Sequence, residues 1–175
     1  MKINGILTRM IFDHNKANHT FYVEESYVIK WMYPYLEPHG LIFRLHNEPL
    51  DELPEEVVKK NRRFWDDYTA KLFSVPTFEE NTEARKSFSK LRATHAGLYV
   101  SRKLFKEAEY GFKQALQLYP ESPEAHFRLA LMYEQKGDVD LAIRTLEKFL
   151  EISPGYENAE VKLKKLRQLV GKYNN

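Results

Sequence analysis

Residues 99–120 read YVSRKLFKEAEYGFKQALQLYP, and residues 133–154 read YEQKGDVDLAIRTLEKFLEISP. Each stretch begins with tyrosine and ends with proline, and the second follows the first at an offset of 34 positions. Between those ends, Ala108, Phe112 and Leu116 recur as Ala142, Leu146 and Leu150. A 34-residue period is typical of a helix–turn–helix unit that stacks on copies of itself. Residues 89–156 are therefore predicted to form two helical hairpins.

The pattern also predicts how the hairpins pack. Small residues lie where two helices approach closely, and large ones lie where the space between neighbouring helix pairs must be filled. The small set is Ala96, Ala108, Ala130 and Ala142, and the large set is Tyr99, Phe112, Tyr133 and Leu146. Proline and Gly137-Asp138 punctuate the segment. We predict helices over 82–102, 105–118, 123–136, 139–152 and 157–171.

These positions resemble those of the tetratricopeptide repeat (TPR) family. The resemblance covers two repeats, 89–122 and 123–156, and a closing helix at 157–172, within a predicted domain of 82–175. It implies a mainly α fold, a TPR-type α–α superhelix. The family's tryptophan position is occupied by Arg92 and His126, and Phe149 replaces the usual small residue that Ala115 preserves.

The family binds extended peptides or helices in a concave groove lined by the first helix of each repeat, and the resemblance places such a groove here. Its predicted partner-binding residues are Lys90, Ser101, Glu124, Phe127, Arg128, Leu131, Glu134, Val161 and Lys165, with Asn158 beside them. Phe127 and Leu131 would form an apolar floor, or else pack against the N-terminal unit. Ala93 and Gly97 stand where chaperone-type repeats need Lys and Asn, so a receptor for chaperone tails is rejected.

The first 50 residues predict a small α/β unit. Ile3, Ile6, Leu7, Met10 and Ile11 share one face of a short helix. Strands are predicted at 19–24 and 41–45, with a helix over 27–35 between them. The connection of about sixteen residues favours a two-stranded parallel pair, because it is too long for a tight hairpin. Residues 51–81 then supply a linker and a bridging helix over 54–73.

Charge and composition limit the other function classes. The net charge of +2 argues against a nucleic-acid binder, and the absence of cysteine excludes thiol chemistry. The basic group Arg85, Lys86, Lys90 and Arg92 is predicted to face acidic residues 51–56 or water, the alternative being a footprint for phosphate or an acidic partner. Scattered histidines predict no metal site and no cofactor. Glu24 and Glu25, after the first strand, stand where α/β sheets gather ligands, but paired carboxylates beside a serine cap are predicted to be solvated, and no catalytic residue is assigned.

Two further segments carry a second resemblance. FYVEESYVIKWMYPYLEPHGLIFRL at 21–45 and ARKSFSKLR at 84–92 resemble the C-terminal tail of bacterial membrane glycosyltransferases of the protein O-mannosyltransferase-like type. In those proteins a small α/β piece and TPR repeats follow a membrane body that holds the catalytic carboxylates. The resemblance implies an extracytoplasmic tail that positions the acceptor protein.

The sequence therefore favours a non-catalytic scaffold that binds a protein or peptide through the TPR groove. No apolar run is long enough to insert this chain into a membrane. The accessory tail of a membrane glycosyltransferase is the alternative.

Overall fold

The computed structural model describes residues 3–173, and the chain divides into two compact units, Met1–Ser74 and Val75–Asn175. In the first unit, helix α1 (Ile3–Asn15) precedes strand β1 (Phe21–Val23). Two short 3-10 helices, Glu25–Tyr27 and Lys30–Tyr35, lead to strands β2 (Leu36–His39) and β3 (Ile42–Leu45). Helix α2 (Glu55–Ser74) completes the unit.

The predicted parallel pair is wrong. The sheet has three strands in the order β1-β3-β2, and both pairings are antiparallel. The strand at 36–39, which was not predicted and follows the predicted helix over 27–35, makes a two-residue hairpin with β3. Gly40 (φ +64°) opens that turn, and glycine takes this left-handed conformation without strain. The predicted helix over 27–35 is replaced by the two 3-10 helices, because Pro34 disfavours a regular α-helix there.

Pro38 is compatible with strand β2 because of where it falls. His46 N donates to Tyr35 O across the hairpin (2.9 Å), so alternate pairs of the ladder are hydrogen-bonded. Pro38 stands opposite Phe43, at a pair that is not bonded. The missing N–H therefore points away from β3, at the edge of the sheet, and no ladder bond is lost.

One face of the sheet is buried except at Phe21, which is half-buried. Its members alternate along each strand, as strand geometry requires. They are Phe21, Val23, Leu36, Pro38, Phe43 and Leu45. Phe12 of α1 is also buried and makes an edge-to-face contact with Phe21. The unit thus has a core of its own.

Helix α1 is confirmed, but its apolar face is the exposed one. The helix buries Gly5 and Phe12, while its larger aliphatic side chains are 45–71% exposed. That exposed set is Ile3, Ile6, Leu7, Met10 and Ile11. Helix spacing alone did not say which side of α1 faces the sheet.

The second unit is all helical and follows the predicted boundaries closely. Its helices are α3 (Thr82–Ser101), α4 (Phe105–Leu118), α5 (Pro123–Lys136), α6 (Val139–Ile152) and α7 (Glu157–Tyr173). Asn81 caps α3 by accepting from Ala84 N, and Ser122 caps α5 by accepting from Ala125 N. The hairpins α3–α4 and α5–α6 stack, and α7 packs on α6. The mainly α repeat architecture is confirmed.

Candidate peptide groove

The first helices of the repeats lie side by side. Helix α3 packs on α5, and Lys162 of α7 pairs with Glu134 of α5 at 2.5 Å. The predicted groove positions belong to these three helices.

At the N-terminal end of α5 the structure forms a cavity of about 550 Å³. It is lined by Pro123, Glu124, Phe127, Arg128, Tyr156 and Asn158. Four of these six are positions that the resemblance assigned to the groove. The rings of Phe127 and Tyr156 and the pyrrolidine of Pro123 supply apolar walls, whereas the other three side chains supply polar groups. Such a mixture suits one apolar side chain of a partner, oriented by polar contacts.

Arg128 is held in place rather than free to sample the groove. Its Nη1 donates to Glu124 Oε1 (3.0 Å) and to the carbonyl oxygen of Ala93 on α3 (3.4 Å). A Cβ added at Gly97 would lie only 2.7 Å from Nη2 of the same guanidinium. Gly97, predicted as a ligand-facing position, therefore provides the space that Arg128 fills.

The remaining predicted residues are spread along the three helices. Leu131, one turn after Phe127, is exposed, and so is Val161 on α7. Lys90, Ser101 and Lys165 are exposed, but none of them lines the cavity. The structure thus gathers Glu124, Phe127, Arg128 and Asn158 at one place and leaves the rest as an extended surface.

The predicted basic group is not a continuous charged patch. Arg92 is 1% exposed, and its Nε donates to the buried Gln114 Oε1 at 2.6 Å. Arg85 donates to the carbonyl oxygen of Leu118 (2.9 Å), the last residue of α4, and this hydrogen bond satisfies that carbonyl. Lys86 pairs with Glu83 (3.0 Å). The expectation that Arg92 faces acids or water is wrong, because its position in the repeat points into the hairpin interior.

Glu24 and Glu25 do not lie at the edge of a parallel sheet. Glu24 precedes the first 3-10 helix, and Glu25 accepts from the hydroxyl of Ser26 (2.6 Å). A ligand site at this edge was expected from parallel strands, and the strands are antiparallel. Within residues 3–173, no three acidic or histidine side chains gather to hold a metal ion. In the same range, no helix has the length and apolar character needed to cross a bilayer.

Sequence reasoning missed Pro123 and Tyr156 as cavity walls. Tyr156 follows Gly155, whose φ of +79° turns the chain into α7, and its ring packs edge-to-face on Phe149 at 5.1 Å. The sequence signal was the run Pro154-Gly155-Tyr156 between two helices. This run ends the repeat and also places the ring of Tyr156 at the cavity.

The comparisons with known proteins agree with the repeat assignment. The family model described as "Tetratricopeptide repeat" matches residues 99–166. The match supports the family predicted for the repeats over those residues. The resemblance of the whole chain to O-mannosyltransferase-like tails remains a prediction.

Several solved structures are similar to this chain. A thermophilic TPR protein of Thermus thermophilus shares 21% identity over 63% of this chain and 53% of that one, with a TM-score of 0.44. This chain thus spans about half of that protein. The second TPR domain of human RPAP3, in complex with an HSP70 peptide, shares 23% identity over 59% of this chain and 92% of that one, with a TM-score of 0.41. MamA shares 18% identity over 98% of this chain and 86% of its own, with a TM-score of 0.46.

Proposed function

We propose that this chain is a non-catalytic protein-interaction scaffold that holds an extended peptide along α5, between α3 and α7. The observation that supports it best is the cavity walled by Pro123, Phe127 and Tyr156, with Leu131 exposed one turn further along α5. An exposed apolar floor next to a preformed cavity costs free energy in water, and binding sites are the usual reason for keeping one.

The spacing on α5 suits an extended partner. Phe127 and Leu131 lie four residues apart, which is about 6 Å along a helix axis. Side chains two apart on an extended peptide are separated by about 6.6 Å and point to the same side. One apolar side chain would enter the cavity, and the next but one would rest on Leu131.

Charged groups at both ends would orient the peptide. Arg128 and Glu124 stand beside the cavity, and Glu134 and Lys162 pair further along α5. Each end thus offers both signs of charge, which favours a polar rim that sets orientation over one that supplies most of the affinity. The helix α3 adds no carboxylate clamp, since the space over Gly97 is occupied by Arg128.

The test is fluorescence anisotropy against labelled peptides carrying two apolar residues in an apolar–x–apolar spacing. Phe127→Ala should weaken binding by about 30-fold, the effect of losing a central anchor. Leu131→Ala should weaken it by about fivefold. The matched control is Leu141→Ala on α6, whose side chain is exposed to nearly the same extent as Leu131 (39% and 37%).

Three outcomes would count against the proposal. The first is that peptides spaced in this way show no saturable binding, and the second is that Leu141→Ala weakens binding as much as Leu131→Ala does. The third concerns the double variant Phe127→Ala, Leu131→Ala, which should retain the far-UV circular dichroism of the parent. Its unfolding would mean that these side chains belong to the core.

A further inference from the structure

The first unit contains a cavity larger than the one in the repeats. It measures about 1000 Å³ and is bounded by α1, β1 and the two 3-10 helices. Aromatic and aliphatic side chains make up most of its wall. These are Ile11, Phe12, Phe21, Tyr22, Val23, Tyr27, Val28, Ile29, Trp31, Met32 and Leu45. A volume of this size is at the upper end of what small-molecule sites enclose.

The packing of α1 explains why the space is open. The helix turns its small residues inward, so that Gly5 and Thr8 stand in the cavity wall where larger side chains would fill it. The Thr8 hydroxyl donates to Asn4 O within the helix (2.8 Å) and needs nothing from the cavity. Of the aliphatic residues of α1, Ile11 borders the cavity, whereas Ile3, Ile6, Leu7 and Met10 lie on the exposed face. The cavity is thus a consequence of the order of residues along α1.

One polar residue of the wall points to the kind of ligand. Lys30 is the only lining residue that is charged at neutral pH; it is exposed, and no ion pair of Lys30 occurs within residues 3–173. Trp31 also lines the cavity, but its indole Nε1 is shielded and does not face a ligand there. A ligand that complements this wall has a long apolar body and one anionic end.

We propose that this cavity binds a long-chain anionic amphiphile of the fatty-acid class. The hydrocarbon chain lies along the apolar wall, and the carboxylate pairs with Lys30. The attraction to Lys30, the one cationic residue of the cavity lining, selects an acid over a neutral chain. This site lies in the first unit and does not depend on the peptide groove.

The experiment is isothermal titration calorimetry of the full chain with octanoate, decanoate and dodecanoate below their micelle concentrations. We expect one site per chain, with affinity rising about fourfold for each added methylene until the cavity is filled. The fluorescence of Trp31 should change over the same titration, and Trp31→Phe should abolish the change, leaving only the signal of Trp65.

Two substitutions on α1 separate cavity binding from adhesion to its exposed face. Thr8→Phe places a ring in the cavity and should abolish dodecanoate binding. Met10→Phe adds the same ring on the exposed face and should leave binding within about twofold, since exposed substitutions perturb little. Should circular dichroism show that Thr8→Phe is unfolded, Lys30→Glu decides, because Lys30 is exposed. It should weaken dodecanoate binding by at least about threefold and leave dodecanol binding unchanged.

The proposal is overturned by any of three results: no saturable uptake, equal loss in Met10→Phe and Thr8→Phe, or no effect of Lys30→Glu on the acid. A change in Trp31 fluorescence with protein concentration alone would also overturn it. That result, with a doubled mass in light scattering, would mean that a second copy of the chain covers the cavity.

Discussion

The two repeats fill the same place in their interiors with opposite kinds of side chain. In the first hairpin, the first helix supplies the long Arg92 and the second supplies the small Ala115. In the second hairpin, 34 positions on, the first helix supplies His126 and the second supplies Phe149. All four are buried. The first repeat thus combines a large residue with a small one, whereas the second combines two rings.

The surroundings of each pair fit this exchange. A Cβ added at Gly111 would lie 3.2 Å from Arg92 Cζ and 2.9 Å from the Cβ of Ala96, so the guanidinium needs a glycine beside it. In the second repeat the rings of His126 and Phe149 stack, with centroids 5.0 Å apart and planes at 26°. Protein interiors conserve total volume more strictly than the identity of the residue that provides it. Departures from the family pattern at single positions are therefore compensated within each hairpin.

Removing the ring from the second repeat should have the largest effect. Phe149→Ala is expected to lower the free energy of unfolding by about 4 kcal/mol, because a fully buried ring leaves a cavity. Chemical denaturation followed by circular dichroism measures the loss. The first repeat provides the more specific test. There Ala115→Phe alone should be destabilising, because Arg92 already occupies the space.

Adding Arg92→His to Ala115→Phe would give the first repeat the same two residues that the second repeat has at these positions, His126 and Phe149. The double variant should be more stable than Ala115→Phe alone, since the shorter side chain makes room for the ring. If Arg92→His gives no recovery, the two positions do not share one space and the comparison between the repeats is wrong.

A change of pH should destabilise the second repeat through His126. Burial lowers the pKa of His126, despite the hydrogen bond that its Nε2 donates to Pro120 O (2.8 Å), and Lys148 lowers it further. The unfolded chain therefore takes up this proton first, at a pKa of about 6.5. His126 should therefore leave the free energy of unfolding unchanged above that pH. As the pH decreases below it, the free energy of unfolding should decrease by up to about 1.4 kcal/mol per pH unit.

The check is the difference between the parent chain and His126→Gln, measured from pH 7 to 5.5. The glutamine amide still donates to the Pro120 carbonyl but does not titrate. Its unfolding free energy should depend less on pH than that of the parent. Identical slopes would assign the pH dependence to the other histidines.

The smallest effect should come from the turns between paired helices. Gly137 has φ +93° in the second repeat, and its equivalent in the first repeat is Lys103, at φ +58°. Gly137→Ala should cost about 1 kcal/mol, because alanine is strained there, whereas Lys103→Gly should change stability by less and in the stabilising direction. Thermal unfolding of the two variants would show opposite shifts in Tm. Shifts of the same sign would contradict the equivalence of the two turns.

Much of the repeat region was predictable because its signals are local and occur twice. A period of 34, a proline at the end of each hairpin and Gly137 between helices set the boundaries of α4 to α6 within a residue or two. The sheet was not predictable in the same way. Strand pairing joins residues far apart in the chain, and Pro38 read as a helix stop rather than as an edge-strand residue.

The candidate groove shows the same limit at finer scale. The helix positions of Phe127 and Leu131 followed from the repeat; Phe127 lines the cavity and Leu131 is exposed. That the guanidinium of Arg128 would occupy the space over Gly97 did not follow, because a missing side chain does not say which neighbour fills its place. Tyr156 was missed because it lies in a loop, outside the helical spacing that was carried over.

Pro38 has a consequence for how the molecule behaves at high concentration. The outer edge of β2 offers a neighbouring chain no N–H at this residue, so a foreign strand could not extend the sheet there with an unbroken ladder. The other edge, β1, is three residues long. A single proline and a short strand thus leave the sheet little edge on which copies of the protein could polymerise.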